Sequence, residues 1–454
     1  MTELNETALR DLAERIVSLA KSKGATLAEA QVRGGWELSA RVRLGETELV
    51  QEAGHKSAYL RVSRDQRSAV SSTSDLTDGG LNRLASDALE LLDLSQPDEN
   101  FGPADPSLYG TASTDALDLF DPSVSSIDAD EAIRLASAAE SAALSYDERI
   151  TLSEGATFAR VTGASALVIS NGFSGIQRGS YASMSVAPVL LDQDDKRRRG
   201  SYWSARRHLK DLETPLAVGE EAARRTLRQV GPRKVETCEA PVVFDPDAAR
   251  SIIGTFAGCI VGGAIWRKSS YLVDRVGSAV ASPLVTLVDD PHLPRGPGSR
   301  GYDGDGLLTR KNTVVSDGTL KTYLLDVYSA RKLGLESTRS GSSGGAAVAA
   351  STSNFFMQPG SESAEALLKR TKRGLYVTSM MGFGFNAITG DFSRGASGFW
   401  IEDGKLAYPV TEVTISGNLN DMLLGVDAVA DDLDLKSSVA SPTFRIASMT
   451  IGGS

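Results

Sequence analysis

The chain has 454 residues, more than one hydrophobic core usually serves, so two domains are the default expectation. Its 48 basic and 58 acidic residues leave a net charge of -10, which argues against a role in holding nucleic acid or anionic lipid. Two cysteines, Cys238 and Cys259, cannot build a disulfide framework, which points to a reducing, cytoplasmic setting. The acidic, amphipathic start does not resemble a secretion signal.

Leu9, Leu12, Ile16 and Leu19 recur at helical spacing before Gly24 and predict an amphipathic opening helix. Glu37 to Leu44 and Glu46 to Glu52 flank Gly45 as a hairpin, and Ser57 to Ser63 continues the alternation. A second helix is expected from Asp78 to Leu94. After a polar connection, Asp128 caps a third that runs to about Leu144. From Ile150 to Leu191 the pattern is of strands, with Asn171-Gly172 as a hairpin turn. The charged run Asp192 to Arg207 reads as a solvated loop. Pro215 opens a helix reaching Val230, and the domain boundary is placed near Val235.

The second half opens with a strand, Pro241 to Phe244. Asp245-Pro246 then starts a helix, Asp as a cap and Pro in the first turn. The apolar run Ile252 to Trp266, shorter than the roughly 20 residues that cross a bilayer, predicts a buried Gly/Ala-rich helix in which Gly254 and Gly258 permit close packing. Val280 to Val288 reads as a strand, and Thr313 to Leu325 as a hairpin about Asp317-Gly318. Asp326 to Leu335 and Ser363 to Gly374 read as helices, and Ser340 to Ser353 as a flexible loop. Glycine is dense from Gly382 to Gly398, as where backbone must approach another backbone, a ligand or a partner, or simply where a β-fold is crowded. Gly398 to Ile401 and Lys405 to Thr414 are expected to pair across Asp403-Gly404. The prediction is thus α+β. An N-terminal helix-and-sheet domain spans 1–235, and a largely antiparallel β domain spans 236–454.

Composition and spacing identify no active site. The three histidines, His55, His208 and His292, are isolated in sequence, and no H-E-x-x-H pair exists for a catalytic zinc. Asp303-Gly304-Asp305-Gly306 lacks the later oxygen ligands of a calcium loop. Cys259 falls in the apolar helix as an inert thiol.

The runs LLDVYSARKLGLESTRS from Leu324, SNFFMQPG from Ser353 and NAITGDFSRGASGFWIEDGKLAYPVTEVTISGNL from Asn386 resemble the TldD/PmbA peptidase family, in its PmbA (TldE) branch. The resemblance implies a cytosolic two-domain protein that pairs with a TldD-type subunit as a heterodimeric metallopeptidase acting on unfolded or short peptides. It also implies that the TldD branch carries H-E-x-x-x-H on a helix and a later cysteine. Ungapped counting places Ile253, Gly254 and Gly258 at those His, Glu and His positions, and no cysteine follows Cys259. The expectation is a subunit with no catalytic residue, metal or cofactor of its own, the zinc belonging to the TldD-type partner. Asn386, Asp391, Ser393, Arg394 and Gly395 are the candidates for peptide or partner contact, with an edge strand for the peptide as one mode. The competing expectations are a self-sufficient hydrolase using Asp289, Asp290 and His292, and a non-catalytic peptide-binding homodimer.

Overall fold

The computed structural model describes residues 5–111, 114–343 and 347–453. Helix α1 (Glu6–Ser22) starts at Asn5, whose side chain accepts from the Ala8 amide, and buries Leu9, Ala13, Ile16, Val17 and Ala20 along one stripe. Strands β1 (Leu27–Arg43) and β2 (Glu46–Arg64) pair antiparallel along their whole length. They turn at Leu44-Gly45, both with positive φ. The segments expected as separate short strands are therefore one long ribbon. β3 (Arg67–Thr73), α2 (Asp78–Leu94), the single turn α3 (Pro122–Ser125) and α4 (Ala129–Ser145) follow. Asp128 caps α4 as its sequence predicts. β4 (Leu152–Ile169) and β5 (Phe173–Leu191) form a second long hairpin. The charged run expected to be a solvated loop instead holds β6 (Arg197–Arg199) and β7 (Tyr202–Arg206), both paired with β5. α5 (Pro215–Leu227) ends three residues before Val230.

The strand order is β3-β2-β1-β4-β5-β6, with β7 also on β5. Alternation along β1 gives the sheet two different faces. Ala28, Ala30 and Val32 pack under α1 and α2, and Leu38, Ala40 and Val42 under α4 and α5. The opposite face meets the C-terminal half, where Leu27, Leu167, Ile169 and Phe173 cluster with Tyr302.

The C-terminal half contains β8 (Cys238–Phe244), α6 (Pro246–Cys259), α7 (Gly262–Trp266), β9 (Leu287–Asp289), β10 (Asn312–Ser316) and β11 (Thr319–Leu320). After these come α8 (Val327–Leu333), β12 (Gly341–Ser343), β13 (Val348–Ala350), β14 (Phe355–Met357), α9 (Ala364–Lys369) and β15 (Arg373–Met381). β16 (Asp391–Glu402), β17 (Lys405–Asn418), α10 (Leu419–Leu424), β18 (Val426–Val429), β19 (Val439–Ala440) and β20 (Phe444–Gly452) complete it. The order β17-β16-β15-β8-β20 closes on itself through Thr414↔Gly452, Ile415↔Ile451 and Ser416↔Thr450. This five-stranded barrel has no free edge along those residues. A second sheet runs β11-β10-β9-β14-β19. The architecture is α+β, and the hairpin about Asp403-Gly404 forms as its turn chemistry predicts.

Several expectations are corrected. The stretch Val280 to Val288 is strand only from Leu287, because Ser282 and Pro283 turn the chain and the Val285 amide donates back to the Ser282 carbonyl. The apolar run Ile252 to Trp266 is two helices: α6 stops at Cys259, and extended Val261 hands the Gly262 amide to the Leu324 carbonyl. The glycine needed for close approach is Gly262, where a Cβ would stand 2.1 Å from Ser329 Oγ. α9 ends at Lys369, since Arg373 and Gly374 already belong to β15. The loop expected from Ser340 to Ser353 has paired strands β12 and β13, with 344–346 outside the described residues.

Candidate functional site

Helix α6 is held by its cap. Asp245 Oδ1 accepts from the Ala248 amide at 2.8 Å, and burial pushes its carboxyl up to about 7. One side of the helix sinks Ile252, Ile253 and Phe256 into a core shared with Leu375, Val377 and Ile415. Ile253 is fully buried. Gly254 and Gly258 lie on the other side, and the close packing expected of them does not occur. A Cβ at Gly254 would touch only Val439 Cγ1, at 3.8 Å, and one at Gly258 would meet nothing within 4 Å. The open side of α6 therefore offers a peptide backbone and the small Ser251 and Thr255, with no imidazole or thiolate, and its one carboxylate, Asp247 in the first turn, is paired with Arg225 at 3.1 Å. Arg394 Nη1 donates to Ser251 Oγ at 2.9 Å, which brings β16 over this helix. Cys259 is buried and its thiol is pushed up to about 11, so thiolate is scarce at neutral pH.

Of the remaining nominated residues, Asn386 and Asp391 hold a turn, and Ser393 and Gly395 lie within β16. Asn386 Oδ1 accepts from the Ile388 amide, and Asp391 Oδ2 from the Thr389 hydroxyl. Ser393 and Gly395 face Ser416 and Thr414 of β17. On the other side of β16 the chain's own segment fills the position imagined for a peptide strand. The Ser393 amide donates to the Gly384 carbonyl and the Asn386 amide to the Asp391 carbonyl. A Cβ at Gly384 would lie 1.8 Å from the Ser393 oxygen, which is why that position is glycine. The loop at the rim exposes Met381, Phe383 and Ile388.

Asp289, Asp290 and His292 are neighbours in sequence but make no acid–base pair. Asp289 is buried, its pKa raised by that burial, and it accepts from the Ser353 amide at 2.6 Å. Asp290 caps the His292 amide, whereas the His292 ring bonds Thr309 Oγ1 at 3.0 Å. A hydrolase needs its base oriented toward a nucleophile or water, and this imidazole is engaged by a threonine.

The sequence reading missed a cleft of about 420 Å³ between the uncovered face of the N-terminal sheet and the segments at 300–304 and 341–343. Its residues come from β1, β2, β4, β5, Arg207, the segment at 300–304 and β12, so only tertiary pairing brings them together. Arg33-Gly34-Gly35 was its one local signal.

Models of the PmbA/TldA metallopeptidase match three segments: domain 1 at residues 28–92, the central domain at 122–230 and the C-terminal domain at 237–453. A metalloprotease PmbA of Escherichia coli O157:H7 is 37% identical over 98% of this chain and 97% of its own length. The chain belongs to the PmbA/TldD metallopeptidase family. A PmbA homologue of Haemophilus influenzae is likewise 37% identical, over 100% of this chain and 98% of its own. Among solved structures, a putative modulator of DNA gyrase from Bacteroides thetaiotaomicron superposes with a TM-score of 0.91 at 28% identity, covering 98% of each chain. TldE from Thermococcus kodakarensis shares the fold, with a TM-score of 0.87 at 21% identity over 97% of this chain and 100% of that one.

Membership of the PmbA/TldD family implies a metal, and the open side of α6 does not fit one. Glycine, serine and threonine are no substitute for the nitrogen, sulfur or carboxylate donors of zinc. Among the described residues, no three His, Cys, Asp or Glu side chains are grouped to hold a metal ion. Among the same residues no helix is long and apolar enough to cross a membrane.

Proposed function

We propose that this chain is the PmbA/TldE-type subunit of a heterodimeric metallopeptidase that processes unfolded or short peptides in the cytoplasm. In this reading it carries no zinc motif, supplies part of the substrate cleft, and pairs with a TldD-type subunit that brings the metal donors. One observation carries the reading: of the three positions that ungapped counting sets against the family's metal motif, Ile253 is in the core, Gly254 faces only Val439 and Gly258 faces open space. The loss is complete, so no residual ligand set is left to polarise a carbonyl or activate water. The exposed Met381, Phe383 and Ile388 at the barrel rim supply an apolar surface for the partner.

The test is to purify the chain alone and together with a TldD-type subunit from the same genome. Bound zinc is measured by elemental analysis, and cleavage of an unfolded peptide is followed with and without chelator. The expected result is zinc and chelator-sensitive cleavage only in the pair. Stoichiometric zinc and cleavage by the lone chain would overturn the reading.

A further inference from the structure

The cleft between the two halves has a floor and a roof of different character. On the floor, strand register aligns Gly35 of β1 with Gly163 of β4, and Gly163 with Gly179 of β5. Three glycines thus stand in one row across three adjacent strands, on the face turned away from the helices. Side chains that start elsewhere lie over this row. A Cβ at Gly35 would come within 2.8 Å of the His55 ring, and one at Gly179 within 2.8 Å of Arg207 Nη1. Glycine here lets another group come down onto the backbone of the sheet.

Above and beside the row are three guanidinium groups whose hydrogen-bond partners are all neutral or missing. Arg33 donates to Gln31 Oε1 and to the Ser343 carbonyl of the roof. Arg207 donates to the Gly296 and Pro297 carbonyls at 2.8 and 2.7 Å. Arg300 keeps a buried Nε with no hydrogen-bond partner. Among the described residues none of these three groups forms an ion pair, whereas Arg178, which also lines the cleft, pairs with Glu6 at 3.2 Å. Asp303 lines the same cleft, but its oxygens are taken by the amides of Asp305, Leu307 and Gly341. Burial lowers the pKa of all three arginines, yet a guanidinium stays charged at any ordinary pH. In a chain with a net charge of -10, three cations around one cavity, of which only Arg300 feels nearby carboxylates, those of Asp289 and Asp303, are a local reversal of sign.

We propose that this cleft binds the C-terminal carboxylate of a peptide, with Arg33, Arg207 and Arg300 around the carboxylate and the peptide main chain passing over Gly163, between the His55 ring over Gly35 and the Arg207 guanidinium over Gly179. Guanidinium meets a carboxylate through two parallel hydrogen bonds, a geometry that a planar fork favours. The cavity volume is in the range of sites that hold small ligands. The floor is bare of side chains at Gly163, where it accepts main chain and is indifferent to sequence, whereas the arginines select the charged end. The inference takes the peptide class of the ligand from the proposed function, and nothing else.

The experiment uses the full chain alone and two fluorescein-labelled pentapeptides of alanine, glycine and valine, identical except that one ends in a free carboxylate and the other in an amide. Fluorescence polarisation is expected to show the acid binding at least tenfold more tightly than the amide. Arg33→Gln and Arg300→Gln should each reduce that preference to about twofold, with thermal unfolding confirming that each variant is folded. The acid-to-amide comparison needs no variant, so a misfolded Arg300→Gln does not rescue the idea. Equal binding of the twins, binding of neither, or an undiminished preference in Arg33→Gln would overturn it. Displacement by inorganic phosphate at concentrations equal to the peptide would also overturn it, by showing a site for bare anions. Because no cleavage is read, failure of the heterodimer assay leaves this result standing, and equal binding of the twins removes the cleft without touching the heterodimer.

Discussion

Glycines with the same look in sequence do opposite work in this molecule. Gly258 is on an exposed helix side with open space where a Cβ would go, so Gly258→Ala should stabilise the chain by about 0.5–1 kcal/mol through helix propensity. Gly384 faces a carbonyl oxygen 1.8 Å from its virtual Cβ, so Gly384→Ala should destabilise by on the order of 2 kcal/mol. Urea midpoints of the two variants, measured side by side, check both signs. Ile253 gives a third contrast. Restoring histidine there would bury an imidazole among Phe256, Leu375 and Val377, and Ile253→His is expected to cost about 2–4 kcal/mol with no gain in zinc affinity. Unchanged stability or a stoichiometric zinc would contradict the placement of Ile253 in the core. The identities of all three positions were readable from the chain; their surroundings were not.

At the scale of the element, α6 depends on a cap that titrates. Asp245 was legible as a cap from Asp-Pro before an apolar run, but its burial was not. The carboxyl ordinarily ionises near 3.8 and is raised to about 7 here by desolvation. Between those values the folded chain keeps a proton that the unfolded chain has released, so this group's contribution to stability falls as pH rises and levels off above about 7. Asn caps as well as Asp and cannot ionise. The thermal midpoint of Asp245→Asn relative to the parent should therefore climb from pH 4 to pH 7 and then hold; a flat difference would show that Asp245 ionises normally. The rim loop behaves differently. Phe383 is fully exposed, so Phe383→Ser should leave the unfolding midpoint within about 0.5 kcal/mol of the parent. It should also weaken association with a TldD-type subunit at least tenfold by sedimentation or surface binding. Wild-type association would remove the loop from the interface.

Across the whole molecule, the two halves are tied by a polar clasp. Asp98 accepts from Tyr328 and Lys332 of α8, and Arg331 donates to the carbonyls of Asn100, Gly102 and Pro103. Burial pushes the Asp98 carboxyl up, but hydrogen bonds from Lys332, Asn100 and Tyr328 outweigh it and hold it well below its usual value of 3.8. A depressed folded pKa contributes stability that is present above 3.8 and lost as pH falls further, so Asp98→Ala should matter at pH 6 and cease to matter in strong acid. Urea unfolding of both chains between pH 2.5 and pH 6 reads the difference.

The sequence by itself determined what depends on near neighbours. The capped helices α1, α4 and α6, the hairpin turns at Gly45, Gly172 and Gly404, and the inability of Ile253, Gly254 and Gly258 side chains to hold a metal all follow from residue type and local spacing. Tertiary structure alone decided what depends on register between distant strands. The barrel closes by pairing residues 414–416 with 450–452, and Gly35, Gly163 and Gly179 fall in one row only because β1, β4 and β5 align there. The reason is physical: backbone conformation is set within a few residues, whereas a cavity is made where segments far apart in the chain meet, and no local pattern encodes that meeting.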